Sequence, residues 1–216
     1  MPVVPVFIEV GSKRVFASAA DWPGWCRAAR TEEAALEALL TYVPRYVEVA
    51  RHAGITFPGR FEFSVVERLP GDATTDFGAP SMTASAERER LTAAKARRQV
   101  DLVRAAWAVL AEVAERSPAQ LRKGLRGGGR DRDAMLDHVV GAESAYARKI
   151  GVKVKQPTFD DREAVSAMRE AIAAVLGSTS DGSPVVERGW TSRYTARRIA
   201  WHALDHAWEM QDRTEP

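Results

Sequence analysis

The sequence predicts an α+β protein in two parts: a small N-terminal sheet with one helix, then an all-α bundle of four helices. Three observations predict it. Residues 1–70 hold short runs of alternating or continuous apolar residues broken by turn-forming tripeptides, the pattern of strands. From Ser85 onward apolar residues recur at three- and four-residue spacing, the pattern of helices. Between them, GDATTDFGAPSMT (Gly71 to Thr83) is rich in Gly, Pro, Ser and Thr and has no period, so residues 71–84 are expected to be a linker.

Val3 to Val10 and Arg14 to Ala19 are expected to be strands joined at Gly11-Ser12-Lys13. Asp21-Trp22-Pro23-Gly24 makes a further turn, and Trp25 to Ala29 a third, short strand. Thr31 caps a helix whose first turn carries Glu32 and Glu33, where carboxylates favour the positive end of the helix dipole. Leu36, Leu39, Leu40, Val43 and Val47 give that helix its period, Pro44 should kink or break it, and Gly54 should stop it. Phe61, Phe63 and Val65 alternate with Glu62 and Ser64 and form the last strand, so the order is βββαβ.

Beyond the linker a long helix is expected from Ser85, with Ala96, Val100, Val103, Trp107, Leu110 and Ala114 as its core stripe. Ser117-Pro118 should cap a short helix ending by Gly124, and Leu125 to Asp133 (LRGGGRDRD) a loop. The second long helix is placed at Asp133 to Ile150 with Gly151 as its stop, and the third at Asp160 to Leu176. The fourth starts near Thr191 and Ser192 and carries TARRIAWHALDHAWEMQDR, Thr195 to Arg213. The domains expected are therefore 1–70 and 85–216, and a fragment from about residue 84 should fold alone.

Composition narrows the functional classes. A chain of 216 residues with 45% hydrophobic and 28% charged residues can bury a core. A formal net charge of only +2 supplies no field calling for nucleic acid or an anionic membrane. One cysteine, Cys26, excludes an intrachain disulfide and fits a reducing, cytoplasmic setting. No segment reaches about 18 apolar residues, and the start has no basic region before an apolar run.

The chemistry concentrates in the fourth helix of the bundle. His202 and His206 stand four apart and so share a helix face, one turn from each other, where both can grip one ion. At about 100° per residue Thr195, Arg198, His202, His206, Glu209 and Arg213 fall on one stripe. His138 lies on the second helix with the small residues Ala134, Gly141 and Ala142 on its own face, which leave room for an ion and a substrate. Together the three histidines would make an open-sided catalytic metal site. Glu209 can be a general base, a closing ligand or an outer partner of an imidazole. Arg198 can form a salt bridge or hold an anionic group of a substrate. Asp137 and Asp205 adjoin the histidines in sequence but point elsewhere, and Glu143 falls on another face. His52 reads as the decoration of a helix C-terminus, Trp201 and Trp208 as packing residues, and Cys26 as a small buried one. The basic loop of Arg122, Lys123, Arg126, Arg130 and Arg132 around Gly127-Gly128-Gly129 lacks the context of a P-loop and reads as a solvated face.

Two resemblances attach to these residues. The paired N-terminal strands, Pro23-Gly24 and the helix entry ARTEEAALEAL make residues 3–70 similar to a HicB-like domain. The DNA-binding segment of HicB antitoxins has no counterpart in the domain that follows, so antitoxin function is not implied. Four helices with DHVVGAE (Asp137 to Glu143) on the second and WHALDHAWE (Trp201 to Glu209) on the fourth resemble the DinB-like metalloprotein superfamily. That family binds a divalent metal through one histidine of the second helix and an H-x-x-x-H pair on the fourth, here His138, His202 and His206. It includes mycothiol- and bacillithiol-dependent S-transferases. The resemblance implies a divalent metal as cofactor, for which zinc or nickel is expected because imidazole suits both, with a thiol such as mycothiol as cosubstrate and a reaction in which the metal activates the thiol toward an electrophile. Glu209 and Arg198 would assist that reaction. A metal-assisted hydrolase and a non-catalytic, metal-stabilised binding protein remain the alternatives. The partners implied are a small-molecule thiol and an electrophile, with neither nucleic acid nor membrane, and a homodimer is compatible with the chain.

Overall fold

The computed structural model describes residues 1–123 and 128–214. The chain is α+β: a four-stranded sheet near the N-terminus is followed by helices. Strands β1 (Val3–Val10), β2 (Val15–Ala19) and β3 (Cys26–Ala29) run antiparallel in succession, and β4 (Glu62–Pro70) lies parallel to β1, giving the order β3-β2-β1-β4. The register pairs Val10 with Val15 and Val6 with Ala19, and Gly11 N–H closes the turn on the Arg14 carbonyl at 2.8 Å.

Two helices, not one, cross from β3 to β4. Thr31 caps α1 (Glu32–Thr41) by accepting from Ala34 N–H. The chain breaks at Tyr42 and restarts as α2 (Val43–His52), with Pro44 in the first turn, where its missing N–H costs no helical bond. The break re-phases the buried face. Leu40 and Val47, expected inside, are 49% and 37% exposed, while Tyr46, Val49 and Ala50 turn inward.

Both faces of the sheet are covered, because successive residues of a strand point to opposite sides. Val4, Val6, Ile8, Ala17 and Trp25 face the α1/α2 layer, where Trp25 stacks on Tyr46 and donates from Nε1 to the Leu39 carbonyl at 3.0 Å. Phe7, Glu9, Phe16 and Cys26 face the other way, toward the last helix.

The expected linker carries structure. Asp72 caps a short helix α3 (Ala73–Phe77), accepting from Thr74 and Thr75 N–H. The Glu9 carboxylate, buried under this segment, accepts from Thr75 Oγ1, Ser81 N–H and Met82 N–H. A buried carboxylate supplied with three donors pins residues 75–82 to β1.

The long helices follow as α4 (Ala93–Arg116), α5 (Arg132–Arg148), α6 (Arg162–Leu176) and α7 (Ser192–Thr214). The expected start of the first at Ser85 is corrected to Ala93, since Ser85–Arg88 forms only a 3₁₀ turn. Leu91 exchanges both of its backbone hydrogen bonds with Ser180, which withdraws them from a helix. The short helix expected from Ser117-Pro118 is absent among the described residues. Ser117 is instead the C-cap of α4, and Leu121 and Arg122 N–H donate to Asp131 and to the Arg213 carbonyl. The expected stop at Gly124, and Leu125, Arg126 and Gly127 of the basic loop, lie outside the described residues.

Sheet and bundle share one hydrophobic cluster, with Val6, Leu39 and Tyr46 in continuity with Leu102, Val139, Ile172 and Leu204. Among the described residues no helix is long and apolar enough to cross a membrane.

Candidate metal centre

The helix that bears two of the histidines is buried almost all round. Ile199, Ala200, Ala203, Leu204, Ala207, Trp208 and Met210 are all 1% exposed or less. One side of α7 faces the sheet: Trp201 meets Phe16 edge-on, Trp208 packs on Tyr42, and Gly24 lies against Leu204 and Ala200. Arg27 pairs with Asp205 at 2.9 Å, and Arg45 with Asp212, tying the strand and helix layer along the same side. The opposite side packs on α4 and α5. A helix held from both sides presents its remaining polar stripe in a fixed direction.

That stripe meets α5 at three imidazoles. His138, His202 and His206 lie close enough to hold a metal ion, their ligand atoms all within 4.8 Å of one another. His202 Nε2 is 3.2 Å from His138 Nε2, and the ring centroids are 4.7 to 5.1 Å apart. His206 turns its Nδ1 to Glu209 Oε2 at 3.0 Å, while Glu209 Oε1 accepts from Arg213 at 2.9 Å. Arg213 in turn donates from Nε to the Arg122 carbonyl at 2.7 Å, so the end of the stripe is braced against the chain after α4. Glu209 thus grips the outer nitrogen of an imidazole and leaves Nε2 for an ion, the arrangement that fixes ligand orientation in metal sites.

Electrostatics favour the neutral form of two of these rings, His138 and His202. Burial, then the positive charges of Arg130 and His206, lowers the His138 pKa below the ordinary 6.5. Burial lowers that of His202 well below 6.5, with His206, His138, Arg198 and Arg130 adding in the same direction. Neutral imidazole is the form that binds metal. Glu209 is held below its usual range, first by its hydrogen bond with His206, and stays a carboxylate.

The other candidates take the following places. Arg198 forms no salt bridge with any described carboxylate; it donates to the Pro80 carbonyl at 2.9 Å and to Tyr146 Oη at 3.1 Å. Thr195, on the expected polar stripe, is fully buried and spends its hydroxyl on the Thr191 carbonyl. Gly141 lies against Gln156, whose Nε2 a Cβ there would meet at 3.1 Å. Glu143 points away, accepting from Trp107 Nε1 and from Arg169. Asp137 accepts from Phe159 N–H, and Asp205 belongs to the Arg27 pair. His52 ends α2 and pairs with Glu112 of α4 at 3.3 Å. Cys26 is fully buried beside Ser18. In the basic loop Lys123 pairs with Asp131 and Arg132 with Asp133, whereas Arg130 is exposed and acts on the histidines.

Sequence reasoning missed Tyr146 and Trp190. Tyr146 lies on α5 with its ring 6.0 Å from that of His202 and 5.1 Å from Trp190, and its hydroxyl meets Arg198. A signal was present, since Tyr146 follows His138 by eight residues, through Ala142, along one helix face. For Trp190 no local signal existed; it reaches the site because its N–H bonds to the Lys149 carbonyl at the end of α5. The chain matches no protein-family model, no curated protein and no solved structure.

Proposed function

We propose that the chain is a metal-dependent transferase of the DinB-like type, in which His138, His202 and His206 hold a divalent ion. The observation that carries the reading is the convergence of three imidazoles from two helices, one of them oriented by a carboxylate. The donor set fits the group. Two ligands of one tetrahedral ion with bonds of about 2 Å lie about 3.3 Å apart, the spacing of the His138 and His202 nitrogens. The remaining separations, up to 4.8 Å, close by rotation of imidazole rings. Imidazole ligation suits zinc or nickel.

A divalent ion bound by neutral ligands keeps its full charge and lowers the pKa of a thiol or water bound to it. In this reading the nucleophile is a low-molecular-weight thiol such as mycothiol, and its partner an electrophilic small molecule. Glu209 holds the Nδ1 proton of His206 and, being 37% exposed, offers a route by which a proton reaches solvent. Arg198 orients an acidic group of the substrate. The N-terminal part, which resembles a HicB-like domain, serves as the second wall that fixes α7. Metal-assisted hydrolysis would use the same three histidines with water in place of the thiol.

The test begins with metal content by mass spectrometry on purified or reconstituted protein. About one zinc or nickel ion per chain is expected, as for a single three-histidine site, with loss of binding in the His202→Ala, His206→Ala double variant. Undiminished metal in that variant overturns the site. A panel of low-molecular-weight thiols with electrophilic acceptors then separates transferase from hydrolase. A metal-loaded protein inactive on both is the non-catalytic, metal-stabilised binding protein.

A further inference from the structure

Two arginines stand side by side on α7, both buried, and only one is paired with a carboxylate among the described residues. Arg197 is 4% exposed and its guanidinium lies against Glu87, with Nε to Oε1 at 2.6 Å and the second amino group to Oε2 at 3.1 Å. A buried guanidinium paired in this forked way is the arrangement that offsets its desolvation. Arg198 is 6% exposed and has no such partner among the described residues. Its two hydrogen bonds go to uncharged oxygens, the Pro80 carbonyl and Tyr146 Oη, and its buried Nε–H donates to nothing. It lies over the rings of Tyr146 and Trp201, at 5.4 and 4.9 Å from their centroids. Ring faces favour a cation but do not neutralise it.

The surroundings add more positive charge. Arg198 is one helical turn before His202, and Arg130 lies on the other flank of the triad. The carboxylate nearest the histidines, Glu209, is already shared between His206 and Arg213. With a divalent ion on the three imidazoles, a buried guanidinium and a dication stand close together, and among the described residues Glu209, already shared with Arg213, is the carboxylate bonded to the histidines. Such an arrangement is costly unless a ligand brings the negative charge with it.

We infer that the site takes a substrate bearing a carboxylate, clamped by Arg198 and Tyr146 beside the metal. The inference rests on the metal reading above and deepens it. A carboxylate, not a phosphate, fits the donors on offer. Guanidinium carries five N–H groups, of which two are used, so three remain to serve the two oxygens of a planar carboxylate. Tyr146 accepts from Arg198 and so keeps its own hydroxyl proton to donate to the same anion. Tyr146 and Trp190 are only half-buried and tilted against each other, and they give the apolar part of such a substrate an aromatic wall on the open side.

The experiment uses the full chain loaded with cobalt(II), whose visible absorption reports its ligands. Acetate, the neutral isostere acetamide, and imidazole, a neutral ligand that reads only the metal's open position, are titrated in turn. Wild-type protein is expected to bind acetate well above acetamide. Arg198→Met should weaken acetate about tenfold to a hundredfold, the usual worth of a charge-assisted hydrogen bond, with imidazole affinity unchanged. Acetate binding in Arg198→Met equal to wild type, with a normal cobalt spectrum, overturns the clamp and leaves the metal site standing. Wild-type protein that fails to take up cobalt overturns both. If Arg198→Met does not fold, Tyr146→Phe decides, since acetate affinity there equal to wild type removes the second half of the clamp and refutes it.

Discussion

Replacing Glu209 by Gln separates two roles that the stripe on α7 leaves open. The carboxylate sits with one oxygen 3.0 Å from His206 Nδ1 and the other 2.9 Å from Arg213. The amide of Glu209→Gln would keep the shape and one acceptor but lose the charge that strengthens the bond to the imidazole and makes it the better metal ligand. Losing such a partner typically lowers metal affinity about 10- to 100-fold. Glu209 is 37% exposed and already divided between two partners, so solvent screening places it at the weak end. About tenfold, or ~1.4 kcal/mol, is expected. A competition titration against a chromophoric chelator at constant pH measures it. Unchanged metal affinity together with a lost reaction would refute the orienting role and leave Glu209 as a base. Unchanged affinity and unchanged reaction would make it a surface carboxylate.

Two further outcomes follow from the packing around α7. Gly24 has φ +90°, and a Cβ there would lie 2.7 Å from Leu204 Cδ1 and 3.0 Å from Ala200. Gly24→Ala should therefore cost about 2–4 kcal/mol in a urea unfolding experiment, and a wild-type midpoint would show that the sheet does not bear on α7 as described. Burial pushes the Cys26 thiol up to about 12 from 9.0, so the native protein should not react with a thiol reagent at pH 8, whereas the unfolded protein should. The same shift makes stability fall as pH rises through the window from 9.0 toward 12, because there the unfolded chain alone releases the proton; rapid native labelling would refute both.

Local rules carried much of this structure. Thr31 caps where the sequence says it should, Gly54 and Gly151 take positive φ at the ends of their helices, and the H-x-x-x-H spacing puts two imidazoles on one face. What local rules could not supply is which distant group claims a backbone bond or a charge. The helix expected from Ser85 is forestalled by Ser180, far along the chain, which pairs with Leu91. Leu40 and Val47 match a helical period, but a break at Tyr42 turns them outward. In sequence Arg198 has the look of a salt-bridge former because carboxylates abound on helices; only the fold reveals that Glu87 pairs with its neighbour Arg197. The segment Gly71 to Thr83 has the composition of a linker, and its order comes from Glu9, a strand residue whose buried carboxylate finds its donors there.

That order bears on whether the bundle can stand alone. A fragment beginning near residue 84 keeps His138, His202 and His206, and composition suggests that it should fold. In the intact chain, however, Trp201, Leu204 and Trp208 lie against Phe16, Gly24 and Tyr42, all supplied by the N-terminal part. Exposing a large apolar side chain costs about 1.5–3 kcal/mol, so three cost roughly 5–9 kcal/mol, against a typical total stability of about 5–15 kcal/mol. Arg197 and Arg198 would also lose the Pro80 carbonyl, and Asp205 and Asp212 their partners Arg27 and Arg45. The fragment is expected to lack a cooperative thermal transition and to lose metal, because α7 no longer has two walls to hold its histidines in place. Dye binding and calorimetry check the first expectation, and a chelator competition the second. A fragment that melts cooperatively and holds its ion as the whole chain does would refute the shared core and restore the bundle as an independent domain.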